Sequence, residues 1–298
     1  MPWQRIITAL IMLPAAIFAI FFLPLETFCR VVAVIVLIGF WEWTGFITKM
    51  SFAYRVSYVL ISAALMWIVY KYSLPIDYWN GWMIPQEFNE LFQLRDLALL
   101  SLILGCVCWI FALVLVVIFP TLSQSLVSNI FYMAIIGWLI LIPTWVALTG
   151  LRSIGIAFDF HRGSELLLFA LCLVWAADTG AFVAGKLLGK HKLAPHVSPK
   201  KTWEGVFGGA LLACLVVFIA IKTLSISNNH FFGLAILTVI VVTFSVIGDL
   251  TESIFKRLSG LKDSGHILPG HGGILDRIDG LTAAMPLCIL GFAILGIK

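Results

Sequence analysis

Charge is what this chain has least of: Asp, Glu, Lys and Arg make up 11% of its 298 residues, where an ordinary soluble domain carries about 25%. Hydrophobic residues take 61% of the chain and mean hydropathy is +1.07, which excludes a soluble globular domain and points to an integral membrane protein. Alternation of apolar and polar residues is also lacking. The apolar runs are continuous, so the spans are helices rather than barrel strands. The six cysteines, Cys29, Cys106, Cys108, Cys172, Cys214 and Cys288, lie in or beside apolar runs without CxxC spacing; they are small packed hydrophobes, not a disulfide or metal framework. No small-residue cleavage site follows the apolar run from Ile6 to Leu23, and Phe28 before Cys29 is too bulky for a lipoprotein-type processing site, so the first segment is expected to stay as a span. Repeats, low-complexity tracts and linkers are absent, leaving one integral domain over 1–298.

Apolar runs of roughly bilayer-spanning length fall near 6–23, 28–44, 56–72, 97–119, 129–149, 164–185, 205–222, 230–248 and 281–297. The expected fold is therefore an all-α polytopic membrane protein with about nine transmembrane helices, although the pairs around Pro24 and Pro120 leave tight re-entry open. With the N-terminus in the cytoplasm, twelve of the 19 Lys and Arg fall inside: Arg5, Lys49, Arg55, Lys186, Lys190, Lys192, Lys200, Lys201, Lys256, Arg257, Lys262 and Arg277. The loop from Ser73 to Gln93, which holds Asp77, Glu87 and Glu90 without a cation, then falls outside, as the positive-inside rule prefers. Two polar loops, 186–204 and 249–280, share the cytoplasmic face. The N-terminal helices over 1–160 are poor in chemistry, and 161–298 is the catalytic half. The net charge of +4 is ordinary for such a chain and decides nothing.

What charge there is gathers in 245–281, which holds Asp249, Glu252, Asp263, Asp276 and Asp279 together with Lys256, Arg257, Lys262, Arg277, His266 and His271. Each such group costs roughly 2.5–3.5 kcal/mol at the centre of a membrane helix, so the density marks a site. Asp249 and Glu252 are three apart, as are Asp276 and Asp279, and on a helix that spacing puts both carboxylates of a pair on one face. Two such pairs suit Mg²⁺, which takes hard oxygen ligands and substrate phosphates; one pair alone reads rather as solvated acids at a helix end on the membrane interface. Gly265, Gly270, Gly272 and Gly273 with Pro269 leave the backbone between the pairs free to approach a phosphate. His271, inside that turn, either donates to a phosphate oxygen or packs.

The other loop, KLLGKHKLAPHVSPKKTWEG over 186–205, carries five Lys and one acid. In Ser198-Pro199-Lys200-Lys201-Thr202 the serine is expected to cap a helix and the proline to take its first position, which makes a phosphate cradle. The alternative is a basic loop that touches lipid headgroups. Asp178, in an apolar run, is a candidate ligand by default, with Lys186 or a metal as its partner. Glu42 in WEWTG is expected to be an interfacial anchor, and Trp41 and Trp43 belt residues.

Taken together, Ser253-x-x-Lys256-Arg257, Lys262-Asp263 and His271-Gly272-Gly273-x-x-Asp276-Arg277-x-Asp279 resemble, almost without gaps, the signature of the phosphatidate cytidylyltransferases. SPKKTWEG at 198–205, WAADTGAF at 175–182 and GDLTES at 248–253 are similar to that family's other motifs. The resemblance covers about the C-terminal half. It implies that CTP and phosphatidate give CDP-diacylglycerol and pyrophosphate on the cytoplasmic side of a bacterial-type inner membrane. It also implies Mg²⁺ held by Asp249, Asp276 and Asp279, with K⁺ beside it; Asp178 and Glu252, from their own positions, are candidate further ligands. Lys262 joins the acids as catalytic, while Ser198, Lys200, Lys201, Thr202, Lys256, Arg257, His271, Gly272, Gly273 and Arg277 bind substrate. A homodimer is implied, and no nucleic-acid partner.

The residue types agree with that chemistry. Phosphatidate and a triphosphate repel each other until cations neutralise them, and the nucleophile is already charged, so no Ser/His/Asp arrangement is needed. A CTP-dependent lipid kinase would use a similar site. A CDP-alcohol phosphotransferase would show DG-x-x-AR, which is missing here. A cation-coupled transporter would show paired broken helices, whereas these acids cluster with Lys, Arg and Gly in two same-side loops.

Overall fold

The computed structural model describes residues 2–47, 50–73, 97–119, 125–155, 159–270 and 272–297. The predicted outer loop with Asp77, Glu87 and Glu90 lies outside the described residues, as do Lys49, Pro120 and His271.

Helix accounts for almost everything described. The chain runs α1 (Pro2–Phe22), α2 (Leu25–Trp43), α3 (Phe52–Ser73), α4 (Leu97–Ile118), α5 (Ser125–Ser128), α6 (Ile130–Ser153) and α7 (Arg162–Leu188), then a hairpin of β1 (Lys192–Ala194) and β2 (Ser198–Thr202). It closes with α8 (Trp203–Thr223), α9 (Phe231–Leu258) and α10 (Leu275–Leu295). Among the described residues seven helices are long and apolar enough to cross a membrane: α3, α4, α6, α7, α8, α9 and α10. Helix α2 falls short because it carries Glu26, Arg30 and Glu42 within its 19 residues, and α1 contributes the apolar helical stretch Leu10–Phe22.

The bundle is built from antiparallel hairpins. Helix α7 packs along α8 and α9 along α10, while α6 lies against α2, α4, α7 and α10. Burial along α6 is almost unbroken from Ile140 to Ser153, so it is the axial helix. Large apolar side chains such as Phe182, Leu211, Phe232 and Ile294 are exposed around the outside, as lipid-facing helices require. The α7–α8 contact is backbone-close: a Cβ at Gly180 would sit 2.6 Å from the Gly208 carbonyl oxygen.

Pro24, between α1 and α2, has no N–H to offer the Ile20 carbonyl four residues back. Arg152 on α6 and Ser164 on α7 replace it, donating from Nε at 2.7 Å and Oγ at 2.9 Å. The break is thereby tied to the bundle.

The all-α expectation holds, with one short hairpin added in which Ser198–Thr202 pairs antiparallel to Lys192–Ala194. One expectation changes: Ser198 does not cap α8. Standing before a proline, it is pushed towards extended backbone, and the cap is Thr202, whose Oγ1 accepts the Gly205 N–H at 3.1 Å. The strand closes onto α8 through Trp203 N–H to the His191 carbonyl at 3.0 Å.

Candidate active site

The polar segments meet at one end of the bundle. Helix α9 continues past Gly248 to Leu258 and α10 begins at Leu275, so the predicted polar loop 249–280 shrinks to the connection 259–274. Both acid pairs therefore lie on helices, Asp249 and Glu252 in the last three turns of α9 and Asp276 and Asp279 in the first two of α10. The Lys201 ammonium, delivered by β2, sits 2.7 Å from Asp249 Oδ2 and donates to the Val246 carbonyl at 3.4 Å, which joins the two polar segments directly. Thr8 reaches the same end, its hydroxyl donating to the Pro269 carbonyl at 3.0 Å.

Asp276 is the most heavily bonded acid. Its Oδ1 takes Lys256 at 2.7 Å, and its Oδ2 accepts the Ser264 N–H at 2.9 Å, the Ser264 hydroxyl at 2.9 Å and the Gly273 N–H at 2.8 Å. Lys256 also approaches Glu252 Oε1 at 3.3 Å. The Gly273 N–H is thus spent inside the protein. Gly272 has φ +84°, a left-handed conformation that favours glycine, and its carbonyl closes the turn by accepting the Leu268 N–H at 2.9 Å.

Asp279 and Glu252 are neighbours across α9 and α10. Glu252 is 6% exposed and neither of its oxygens has a hydrogen-bond partner, while Asp279 Oδ1 accepts the Gly280 N–H at 2.8 Å. Beside them, between Trp43, Trp109 and Thr282, lies a cavity of about 10 Å³, room for one water at most. Among the described residues no group of three or more His, Cys, Asp or Glu is gathered closely enough to hold a metal ion. The donor chemistry nevertheless fits a divalent cation, because both oxygens of Glu252 are buried without a hydrogen-bond partner beside Asp279 and carboxylate oxygens are the hard ligands such an ion takes.

The structure brings Asp178, Lys201, Asp249, Lys256, Asp276, Arg277 and Asp279 into one electrostatic neighbourhood with Glu252. Asp178 is exposed on α7 and faces Lys201, Asp249 and Arg277; its expected partner Lys186 instead lies over the Phe182 ring. Lys200, Arg257 and Lys262 are exposed, and among the described residues their side chains enter no ion pair. Ser198 is half-buried in the strand, away from the helix end it was expected to cap.

Glu42 is not an interfacial anchor. It is 3% exposed, and its carboxylate accepts the N–H groups of Ile274 at 3.0 Å and Leu275 at 2.8 Å and contacts the Ser264 hydroxyl at 3.1 Å. Trp43 is no belt residue either: it is 2% exposed and its indole N–H donates to the Met133 carbonyl at 2.8 Å. Trp41 carries the Arg55 guanidinium 4.4 Å above its ring. Glu42 and Ser264 are the two residues that the sequence reading left out of the site. An acid inside an apolar run was the available signal for Glu42; Ser264 had none.

The cytidylyltransferase family matches residues 3–295. The chain is 37% identical over 288 residues to a phosphatidate cytidylyltransferase of Haemophilus influenzae, covering 95% of this chain and 96% of that one. It is 40% identical over 285 residues to the phosphatidate cytidylyltransferase of Pseudomonas aeruginosa, covering 95% and 94%. A 145-residue stretch is 46% identical to the Staphylococcus aureus phosphatidate cytidylyltransferase, covering 47% of this chain and 55% of that one. With a match over nearly its whole length, the chain belongs to the cytidylyltransferase family.

Proposed function

We propose that this chain transfers the cytidylyl group of CTP to phosphatidate, giving CDP-diacylglycerol and pyrophosphate for phospholipid synthesis. A phosphatidate oxygen attacks the α-phosphorus, the bond from that phosphorus to the bridging oxygen breaks, and pyrophosphate leaves with the electron pair. The observation that carries this reading is the contact between Lys201 and Asp249, which unites a basic segment and an acidic one at a single end of a membrane bundle. The relatives' shared name supports the substrates.

The side chains divide the work by charge. Lys201, with exposed Lys200 and Lys262, offsets charge on the two phosphate-bearing substrates, and Arg257 and Arg277 extend that field. Asp249, Asp279 and Glu252 are the carboxylates that would hold Mg²⁺, with Asp178 at the rim. Asp276 would join them only by giving up Lys256. When bound, Mg²⁺ supplies the charge that lets one anion approach another. K⁺ belongs to the same proposal, as do a homodimer and nine spans in which α1 and α2 cross beside the other seven. The site faces the cytoplasm of a bacterial-type inner membrane, a placement supported by the excess of Lys and Arg at this end. Labelling of a thiol at Lys192 from outside intact cells would overturn it.

Purified protein supplied with phosphatidate and CTP labelled at either the α or the γ phosphate is the test. The α-label is expected in chloroform-soluble lipid and the γ-label in pyrophosphate. Lipid carrying γ-label alone would make the enzyme a CTP-dependent kinase; uptake into vesicles without any lipid product would make it a transporter.

A further inference from the structure

Helix α10 begins without a cap of its own. Its N-cap position is Ile274, which has no side-chain acceptor, yet the first N–H groups of any helix need partners. Glu42, on α2 and more than two hundred residues earlier, supplies them: Oε1 takes the Ile274 N–H at 3.0 Å and Oε2 the Leu275 N–H at 2.8 Å. A carboxylate at a helix N-terminus is also favoured by the helix dipole. The surrounding chain is shaped to admit it. A Cβ on Gly265 would come within 2.5 Å of Glu42 Oε1, and one on Gly273 within 2.5 Å of Oε2 as well as striking Ser264 Oγ.

From Glu42 the connection runs onward to the site. The Ser264 hydroxyl lies 3.1 Å from Glu42 Oε2 and 2.9 Å from Asp276 Oδ2. Having one proton, it can serve only one of these carboxylates at a time, so the two are coupled through it. Asp276 then holds Lys256, which approaches Glu252. Asp279 stands one helical turn beyond Asp276, so the start of α10 fixes where both acids sit.

We propose that Glu42 is a positioning residue for the reaction, capping α10 from α2 and orienting Asp276 through Ser264. Helix α2 is thereby part of the frame of the active site. The proposal rests on the cytidylyl-transfer reading for its kinetic arm and on hydrogen bonding alone for its other arm.

Glu42→Gln keeps the shape and removes the charge and one acceptor. In folded, monodisperse protein kcat is expected to fall about 10- to 100-fold while KM for CTP and for phosphatidate moves less than about 3-fold, because a misplaced acid affects the transition state more than binding. Amide hydrogen exchange should quicken at 273–276 and stay unchanged in α3 and α4. Ser264→Ala should repeat both effects, and the double variant should be no worse than the poorer single one, as members of one network are not additive. A purely structural cap would lower the melting temperature yet leave kcat of the folded fraction at the wild-type value, and that result overturns the proposal, as does a double variant whose losses multiply. Should Glu42→Gln fail to fold, Ser264→Ala decides by the same two readouts. If the wild-type protein makes no CDP-diacylglycerol, the functional reading fails, whereas unchanged exchange at 273–276 in either variant defeats the Glu42 network itself.

Discussion

The two polar segments at the active end are built in opposite ways. The acidic one, from the end of α9 to the start of α10, is held by a buried network in which Asp276 alone accepts four contacts and Glu42 spans the bundle to cap the helix. The basic hairpin leaves Lys200 exposed and commits only Lys201, to Asp249. A phosphate-transfer site needs both kinds of part. Carboxylates must keep their spacing against mutual repulsion, and only a rigid frame does that; cations that follow a moving triphosphate work better on long, solvated stems. The comparison also separates acids that make the frame from acids that face the substrate, which identical residue types conceal.

Asp276 and Asp279 give that separation its largest expected consequence. Asp279→Asn removes the charge of a carboxylate that accepts the Gly280 N–H at 2.8 Å, so turnover should drop by at least ~100-fold, about 2.7 kcal/mol of transition-state stabilisation, with the melting temperature near wild type. Asp276→Asn should lose activity and stability together, because it leaves Lys256, itself only 13% exposed, short of a counter-charge, at a cost of about 1–3 kcal/mol. Steady-state kinetics beside thermal unfolding in detergent reads both. Equal stability losses in the two variants would erase the division between frame and reaction.

A smaller effect is expected in the hairpin, where Lys201 and Lys200 are sequence neighbours with different surroundings. Lys201→Ala should lower kcat/KM for CTP about 10-fold or more, since this ammonium is already placed against Asp249, while Lys200→Ala should cost only about 2- to 5-fold because screening weakens an exposed charge. The pair of constants, measured at two ionic strengths, checks it: salt should shrink the Lys200 effect more. A Lys200 loss as large as that of Lys201 would mean that the hairpin closes over the nucleotide as one unit.

How much of this was legible in one sequence depends on the range of the interaction. Apolar runs placed the helices well, as with 97–119 against Leu97–Ile118, because lipid exposure acts on each residue separately. Helix ends were harder. Helix α9 extends ten residues beyond the predicted 248, since hydropathy registers the cost of Asp249 and Glu252 but not Lys201 and Lys256, which offset it. The candidate acids and lysines were legible as types and as a cluster. Glu42 as a cap was not, because its partners Ser264 and Leu275 lie 222 and 233 positions away and only the folded bundle brings them together.

The smallest expected effect concerns where α8 begins, and it tests the hairpin side of the comparison at its base. Thr202 accepts the Gly205 N–H at 3.1 Å and is 4% exposed, so Thr202→Ala should cost about 1 kcal/mol, the usual loss of an N-cap. Ser198 sits in β2 opposite Ala194 and caps nothing, so Ser198→Ala should stay within about 0.5 kcal/mol of wild type. The two substitutions remove the same kind of atom four residues apart, which makes their difference a direct reading of the cap. Loss of the cap should also loosen the strand beside it, so Thr202→Ala is expected to weaken the Lys201–Asp249 contact and to lower kcat/KM for CTP by a few-fold where Ser198→Ala does not. Thermal unfolding in one detergent, together with CTP kinetics, decides it: a stability loss confined to Ser198→Ala would move the start of the helix back to Pro199 and undo the strand.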